Sequence, residues 1–263
     1  MPRISGVVIA YNEEKYIGQC IRSMKKVVDE LVVVDSCSTD RTQEICRSLG
    51  VTLYEQPFLG YIEQKNFALQ KALHDHVLSL DADEALSDEL VASILKVKDN
   101  WEHDGYRFNR RNRFCGRWLR HTQLYPDRKL RLWDRRKGRW GGVNPHDKVV
   151  MKEGSSVGRL KGDILHWLCD SYEEYLDTIN RFSTIAATEA FKKGTSCSAW
   201  KVFYKTFWRF FRNYFVKLGV LEGYMGFVVS YQDAFLCFQK YAKLRHMNRA
   251  RDADKKSVSS KNG

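Results

Sequence analysis

The sequence contains no CxxC pair, and its seven cysteines (Cys20, Cys37, Cys46, Cys115, Cys169, Cys197 and Cys237) are odd in number and widely scattered. That pattern excludes a disulfide framework and a cysteine zinc site, and it suits a reducing compartment. No run of about twenty apolar residues occurs, because Asp233 and several Lys and Arg interrupt every candidate, so no bilayer-spanning helix is expected. Met1 to Ala10 lacks the length and small-residue cleavage site of a signal peptide and reads as a first strand. There is no GxGxxG, which excludes a dinucleotide oxidoreductase. No glycine-rich basic loop follows the first strand either, which argues against a nucleotidyltransferase.

At 263 residues and 43% hydrophobic, the chain can bury one sizeable core and a smaller appendage. The net charge of +12 is concentrated. Gly105 to Trp140 holds thirteen Arg and Lys against two acids, and Lys201 to Arg251 holds ten against two, so the remainder is net acidic. A basic face suits phosphate on a substrate, a lipid headgroup or nucleic acid, and it equally suits a merely soluble surface. A nucleic-acid-binding protein is therefore the competitor from another class. No nucleic-acid module is recognisable, and the expected partners exclude nucleic acid.

Ile4 to Ala10 and Glu30 to Asp35 are Val- and Ile-rich runs, each followed by a polar turn and a helical pattern, as buried parallel strands are. Asn12 is placed to cap a helix carrying Ile17, Cys20, Ile21 and Met24, and Thr39 or Asp40 to cap a second ending at Gly50. Val51 to Glu55 reads as a third strand, Ile62 to Leu73 as a helix, and Val77 to Leu80 as a fourth strand running into Asp81-Ala82-Asp83-Glu84. This alternation predicts a parallel α/β sheet with ligands at the carboxyl ends of its strands. Ser171 with Glu174 makes a capping box for a helix ending near Gly194.

Two carboxylates one residue apart at an open strand end, Asp81 and Asp83, can share a divalent cation and the diphosphate it neutralises. Alone such a triplet is common by chance; its position after a strand is what gives it weight. The second constellation is Ala10-Tyr11-Asn12-Glu13 with Asp35-Ser36-Cys37-Ser38-Thr39-Asp40. A strand-end Tyr can stack on a base, and a strand-end carboxylate can accept from an imide or ribose hydroxyl.

IAYNEE, VVVDSCSTD and LSLDADE together resemble the nucleotide-binding half of family 2 glycosyltransferases of the GT-A fold, over about residues 4 to 90. YPDRKLRLW (Tyr125 to Trp133), NPHD (Asn144 to Asp147) and LHW (Leu165 to Trp167) are similar to the branch containing lipopolysaccharide core glucosyltransferases. The resemblance implies a GT-A-type, mostly parallel twisted sheet flanked by helices, with a helical C-terminal extension. It implies inverting transfer of a hexose, glucose in that branch, from a UDP-sugar to a glycolipid or oligosaccharide acceptor, with Mg²⁺ or Mn²⁺. Transfer to another cell-surface polysaccharide is the alternative within the family. Carried over by motif, Tyr11, Asn12, Glu13, Asp35 and Lys65 meet the nucleotide, Asp81 the ribose or metal, and Asp83 the metal. The branch has a His-Glu pair where His146 and Asp147 stand, so Asp147 is the expected base, shorter by one methylene. His166 is the expected further metal ligand, with a satisfied packing residue as the competing reading. Arg128, Arg131 and His146 are expected near diphosphate or acceptor.

Expected boundaries are a catalytic domain over 1–170, divided at 100 into nucleotide and acceptor sides, a helical extension over 171–250, and an unstructured tail over 251–263. Phe203, Phe207, Phe210, Phe211, Tyr214, Phe215 and Leu218 share a helical stripe, with Lys201, Lys205, Arg209 and Arg212 recurring beside it. The stripe admits two readings, packing on the catalytic domain or lying in an anionic membrane interface. The second implies a cytoplasmic protein peripheral to the inner face of the cytoplasmic membrane. The sequence does not indicate an oligomeric state.

Overall fold

The early apolar runs become strands buried on both faces, so their alternating side chains fill two separate core clusters. In the computed structural model, which describes residues 1–143 and 146–259, β1 (Ile4–Ala10) sends Ile4 and Val8 into one cluster and Val7 into the other. Next come α1 (Ile17–Met24), β2 (Glu30–Asp35), α2 (Thr42–Ser48), β3 (Thr52–Glu55), α3 (Tyr61–Lys71), β4 (His76–Asp81), β5 (Glu84–Leu86) and α4 (Asp88–Asp99). Helices α1 and α4 cover one face with Ile17, Ile21, Met24, Leu90 and Ile94. On the other, α3 contributes Ala68 and Leu69 beside Trp133 and Trp140.

After α4 the chain changes character, through β6 (Gly105–Phe114), a two-residue β7 (Arg117–Trp118), β8 (Asp127–Asp134), β9 (Gly138–Val143), β10 (His146–Met151) and β11 (Val157–Cys169). The main sheet has the order β3-β2-β1-β4-β8-β6-β11-β5, and β9 and β10 form a separate hairpin ladder. β3, β2, β1 and β4 pair in parallel; β8 pairs antiparallel with both β4 and β6, and β11 antiparallel with β5. The fold is thus the expected α/β class, with its parallel half carrying the early motifs.

Register brings those motifs together. Ala10 pairs with Asp35 and Ile9 with Asp81, so the carboxyl ends of β1, β2 and β4 share one sheet edge. Across the antiparallel side, His166 of β11 lies opposite Glu84 of β5. Between β6 and β8 the register passes from Tyr106↔Leu132 to Arg107↔Leu130, which leaves Arg131 as the extra residue of a β-bulge. Bulges re-aim side chains in this way.

Two compact units result: Met1–Arg113 with Pro126–Leu168, and Phe114–Tyr125 with the chain from Cys169 onward. Residues 114–125 were expected on the acceptor side of the catalytic domain. They belong to the second unit because the Arg120 amide donates to Glu222 (2.8 Å) and the Thr122 amide to the Lys217 carbonyl (3.0 Å). That unit contains α5 (Tyr172–Lys192), α6 (Ala199–Phe211), a π-helical turn over Arg212–Val216, a 3-10 turn over Gly219–Glu222 and α7 (Gly223–Ser259). Ser171 Oγ accepts from the Glu174 amide (3.1 Å), Glu174 bonds back to the Asp170 amide (2.9 Å), and Gly194 follows the helix at φ 70°, as the capping signals require. Helix α7 runs through Ser259, eight residues beyond the expected onset of an unstructured tail at 251. Asp252, Ala253, Lys255 and Lys256 contain no helix breaker, and no Gly or Pro intervenes before Gly263. No helix among the described residues is long and apolar enough to cross a membrane.

Gly162 in β11 adopts φ 91°, and a Cβ there would stand 2.3 Å from the Leu90 backbone nitrogen at the start of α4. Gly162→Ala is therefore expected to destabilise the first unit by at least about 2 kcal/mol, measured by chemical denaturation. A loss below about 0.5 kcal/mol would show that α4 yields without cost.

Candidate active site

The tips of β1 and β2 are stitched together by side chains. Asn12, at φ 53°, donates its amide to Ser38 Oγ (2.9 Å) and accepts from the Thr39 amide at Oδ1 (2.8 Å). Asn12 was expected to cap α1. Instead Tyr16 takes the N-cap position without a side-chain bond to the helix amides, while the Glu13 carbonyl accepts from the Tyr16 and Ile17 amides. Glu13 is held by its amide on Thr42 Oγ1 (2.7 Å). Asp40 accepts from the Thr42 amide and hydroxyl at the start of α2, but neither Thr39 nor Asp40 takes the N-cap, which is Arg41 without a side-chain cap bond.

Asp35 departs further from expectation. It is fully buried, and its oxygens accept from the Ser38 amide (2.8 Å), Ser38 Oγ (2.5 Å) and Gln43 Nε2 (2.8 Å). Its carboxylate therefore braces the loop after β2. Tyr11, 59% exposed, stands at the same edge with its ring available.

Asp81 ends β4 between two cations. Lys65 Nζ of α3 lies 2.7 Å from Oδ1, and Arg131 Nη2 of β8 lies 2.9 Å from Oδ2. The same Lys65 nitrogen is 2.8 Å from Asp147 Oδ2 of β10. Both cations rest on the Trp140 ring, Lys65 at 4.4 Å and Arg131 at 4.9 Å from its centroid. Beyond Arg131 the alternation continues. Glu84 is fully buried, accepts from the Asp81 amide (3.0 Å) and pairs with Arg131 (3.6 Å) and Arg110 (3.1 Å). Arg110 then meets Asp127 (2.8 Å), and Asp127 meets Lys129 (3.2 Å). Asp147, Lys65, Asp81, Arg131, Glu84, Arg110, Asp127 and Lys129 thus form one chain of alternating charge.

Burial alone would raise the Asp81 carboxyl, but Lys65 and Arg131 outweigh it and hold it well below the usual carboxylate range. Its side chain remains 27% exposed, so the two cations decide the direction. Arg131 is driven the other way, above the ordinary guanidinium value, because Asp81 and Glu84 overcome its burial. Burial lowers Lys129, reinforced by Arg110.

Asp83, two residues past Asp81, is not in this chain. Its Oδ2 lies 3.2 Å from His166 Nε2, and His166 Nδ1 lies 2.5 Å from the Asn112 amide oxygen. With that oxygen as acceptor, Nδ1 carries the proton and the Nε2 lone pair faces a carboxylate oxygen. Two such electron-rich atoms must share a proton or a cation. Adjacent ligands on an octahedral cation with bonds of about 2.1 Å stand about 3 Å apart, which this pair matches. Among the described residues no three His, Cys, Asp or Glu side chains gather as a complete metal cage. The pair thus suits either a shared proton or a cation that takes two protein ligands and fills its shell from phosphate and water. Trp167 stacks on Tyr16 at 5.6 Å, and its amide donates to the Asp83 carbonyl (3.1 Å), holding the end of β11 against the start of α1.

Residues 5–153 match the family model described as Glycosyl transferase family 2. The chain belongs to that family. It is 31% identical over 258 residues to an uncharacterized glycosyltransferase of Rickettsia typhi, covering 94% of this chain and 88% of that protein. It is 30% identical over 259 residues to the lipopolysaccharide core biosynthesis glycosyltransferase LpsC of Rhizobium meliloti, covering 94% of each. The crystal structure of S. aureus TarS aligns with a TM-score of 0.47 and 20% identity, over 70% of this chain and 39% of that one.

In this glycosyltransferase, then, Lys65, Asp81, Arg131 and Asp147 meet directly, and Asp83 meets His166. Arg128 is exposed on β8 and joins neither group. Asn144, Pro145 and the His146 side chain lie outside the described residues. Sequence reasoning missed Glu84, Arg110, Asn112 and Trp140; Glu84 stands within DADE, but nothing in its type or spacing separates it from a solvated acid. A cavity of about 680 Å³ lined by Glu63, Asn66, Gln70, Arg135, Arg139 and Trp140 does not include Asp81, Asp83, Asp147 or His166 in its walls, so volume is a poor guide to the chemistry here.

Glu84→Ala would leave Arg110 and Arg131 short of a buried partner, and a loss of about 3–5 kcal/mol is expected in chemical denaturation. A loss below about 1 kcal/mol would show that water or another acid replaces it. Asp81 has a depressed folded pKa, so its contribution is complete above its unfolded value near pH 4 and decays as pH falls towards the folded one. The stability gap between wild type and Asp81→Asn should accordingly be constant from about pH 7 to 5 and shrink below about pH 4. A gap that widens on acidification would contradict the pairing.

Proposed function

We propose that this glycosyltransferase moves a hexose, with UDP-glucose the first donor to test, onto a membrane glycolipid such as a lipopolysaccharide inner core, with inversion and with a divalent cation. The observation that carries the reading is Asp83 Oδ2 facing His166 Nε2 at the end of β4, beside the edge bearing Tyr11. The name of the Rhizobium meliloti relative, aligned over 94% of this chain, supports the acceptor class. The proposed place of action is the cytoplasmic side of the membrane, where the enzyme would be peripheral.

In this reading Tyr11 stacks on the base, and Asn12 and Glu13 hold the loop that receives it. Asp83 and His166 hold Mg²⁺ or Mn²⁺, which when bound supplies positive charge for the departing diphosphate. Asn112 fixes the His166 tautomer so that Nε2 stays available. Asp81, neutralised by Lys65 and Arg131, serves the nucleotide rather than the cation. Arg131 Nε and Nη1 are buried with no acceptor among the described residues, which leaves donors beside the site for an oxygen-rich ligand. Asp147 removes the acceptor proton. Lys65 engages its Oδ2, which assigns that task to Oδ1, and the lysine couples the proposed base to the strand end proposed to meet the donor.

UDP with Mn²⁺ is expected to raise the melting temperature, and Asp83→Asn to abolish the metal-dependent part while keeping the fold. Equal stabilisation of both proteins would remove Asp83 from the cation site. Asp147→Asn should retain UDP-sugar binding by calorimetry and lose about 10²-fold or more in kcat. Turnover within twofold of wild type would exclude it as the base.

A further inference from the structure

The second unit carries an aromatic surface that its own fold leaves open. Along α6 and the π-helical turn, Trp200, Phe203, Tyr204, Phe207, Trp208, Phe211 and Phe215 recur at spacings of three and four and are all exposed. Trp200 is 76% exposed and Phe203 and Phe207 are each 67% exposed, while Val202 is the buried residue of α6. Leu218, Leu221 and Tyr224 extend the exposed apolar surface into the 3-10 turn and the start of α7. Stacking within the stripe, Trp208 on Phe211 at 5.9 Å and Phe207 on Phe211 at 6.3 Å, organises the rings without covering them. A soluble surface rarely sustains a contiguous patch of this kind.

Charge identifies the occupant. From Ala199 to Leu221 there are five cations, Lys201, Lys205, Arg209, Arg212 and Lys217, and no acid. Arg209 pairs internally with Asp233 (3.2 Å) and Lys201 with the Ser196 carbonyl (3.0 Å), while Lys205, over the Tyr204 ring at 5.8 Å, and Lys217 are exposed. Exposed aromatic rings on a segment that carries cations and no acid match a lipid interface, where rings enter at headgroup depth and cations meet phosphate. An apolar protein partner would need no such positive charge, and a second copy of the same basic surface would repel it.

We infer that the aromatic face of α6 and the turns after it is a docking surface for an anionic lipid bilayer. This deepens the reading of a lipid-borne acceptor by assigning the surface that brings the enzyme to it, yet vesicle binding is measurable without any transfer. The test uses the full chain with vesicles of phosphatidylcholine containing about 30% phosphatidylglycerol, against pure phosphatidylcholine, scored by flotation and by quenching of tryptophan with brominated lipid. Wild type should bind the anionic vesicles, weaken with salt, and show quenching. Phe203→Ser with Phe207→Ser should lower partitioning at least about tenfold, and Lys205→Gln with Lys217→Gln about tenfold or more, given roughly fivefold per cation. These side chains are exposed, so circular dichroism and melting should match wild type, as should stabilisation by UDP and Mn²⁺. Undiminished binding by both variants, or no binding by wild type, would overturn the inference. So would a wild-type dimer in sedimentation that Phe203→Ser with Phe207→Ser makes monomeric, since a second copy would then cover the face. Vesicle binding with no UDP response would instead count against the donor reading alone.

Discussion

The site depends on one chain of alternating charges that begins at Asp147 and ends at Lys129. Its members come from β10, α3, β4, β8, β5 and β6, so the ion pairs add α3, β5 and β10 to the strands β4, β8 and β6 that the sheet already places side by side. Buried pairs of this kind add little net stability, since desolvation offsets most of the attraction, but removing one partner strands the next. Their effect is positional. Asp81 is held at the tip of β4 by Lys65 and Arg131, and Glu84, bonded to the Asp81 amide, keeps the turn that follows in place. That turn in turn presents Asp83 to His166.

The parallel half was legible because its physics is local. Ile4–Ala10 and Glu30–Asp35 form the expected strands with the expected bounds, since a doubly buried strand must be apolar at almost every position. The DAD triplet likewise lay where a strand end puts it. Less legible was which carboxylate does what. Asp35 and Asp83 both follow apolar strands, yet one is enclosed by Ser38 and Gln43 and the other is open to His166. That difference is set by residues three to eighty-three positions away, which no single spacing rule connects. The bulge that aims Arg131 is invisible for the same reason, because it exists only in the pairing of β8 with β6.

The two units embody different solutions to burial. In the first, apolar side chains are enclosed in two clusters and much of the basic stretch is taken up by ion pairs, among them Arg110, Lys129, Arg131 and Arg136. In the second, α5 and α7 pack well, while α6 leaves its rings outside. Positive charge near Trp140 is therefore internal architecture, whereas positive charge near Phe207 remains available to a partner.

The mesh joining Asn12, Ser38, Thr39 and Asp35 has an evolutionary corollary. Each of these residues serves both strand tips, so a substitution at one alters the background in which every other is judged, and their effects will be epistatic rather than additive. Drift is easier at Tyr11, whose exposed ring shares the edge without belonging to the weave. Sequence change along this strand edge would accordingly pass through that single position before it touched the loop.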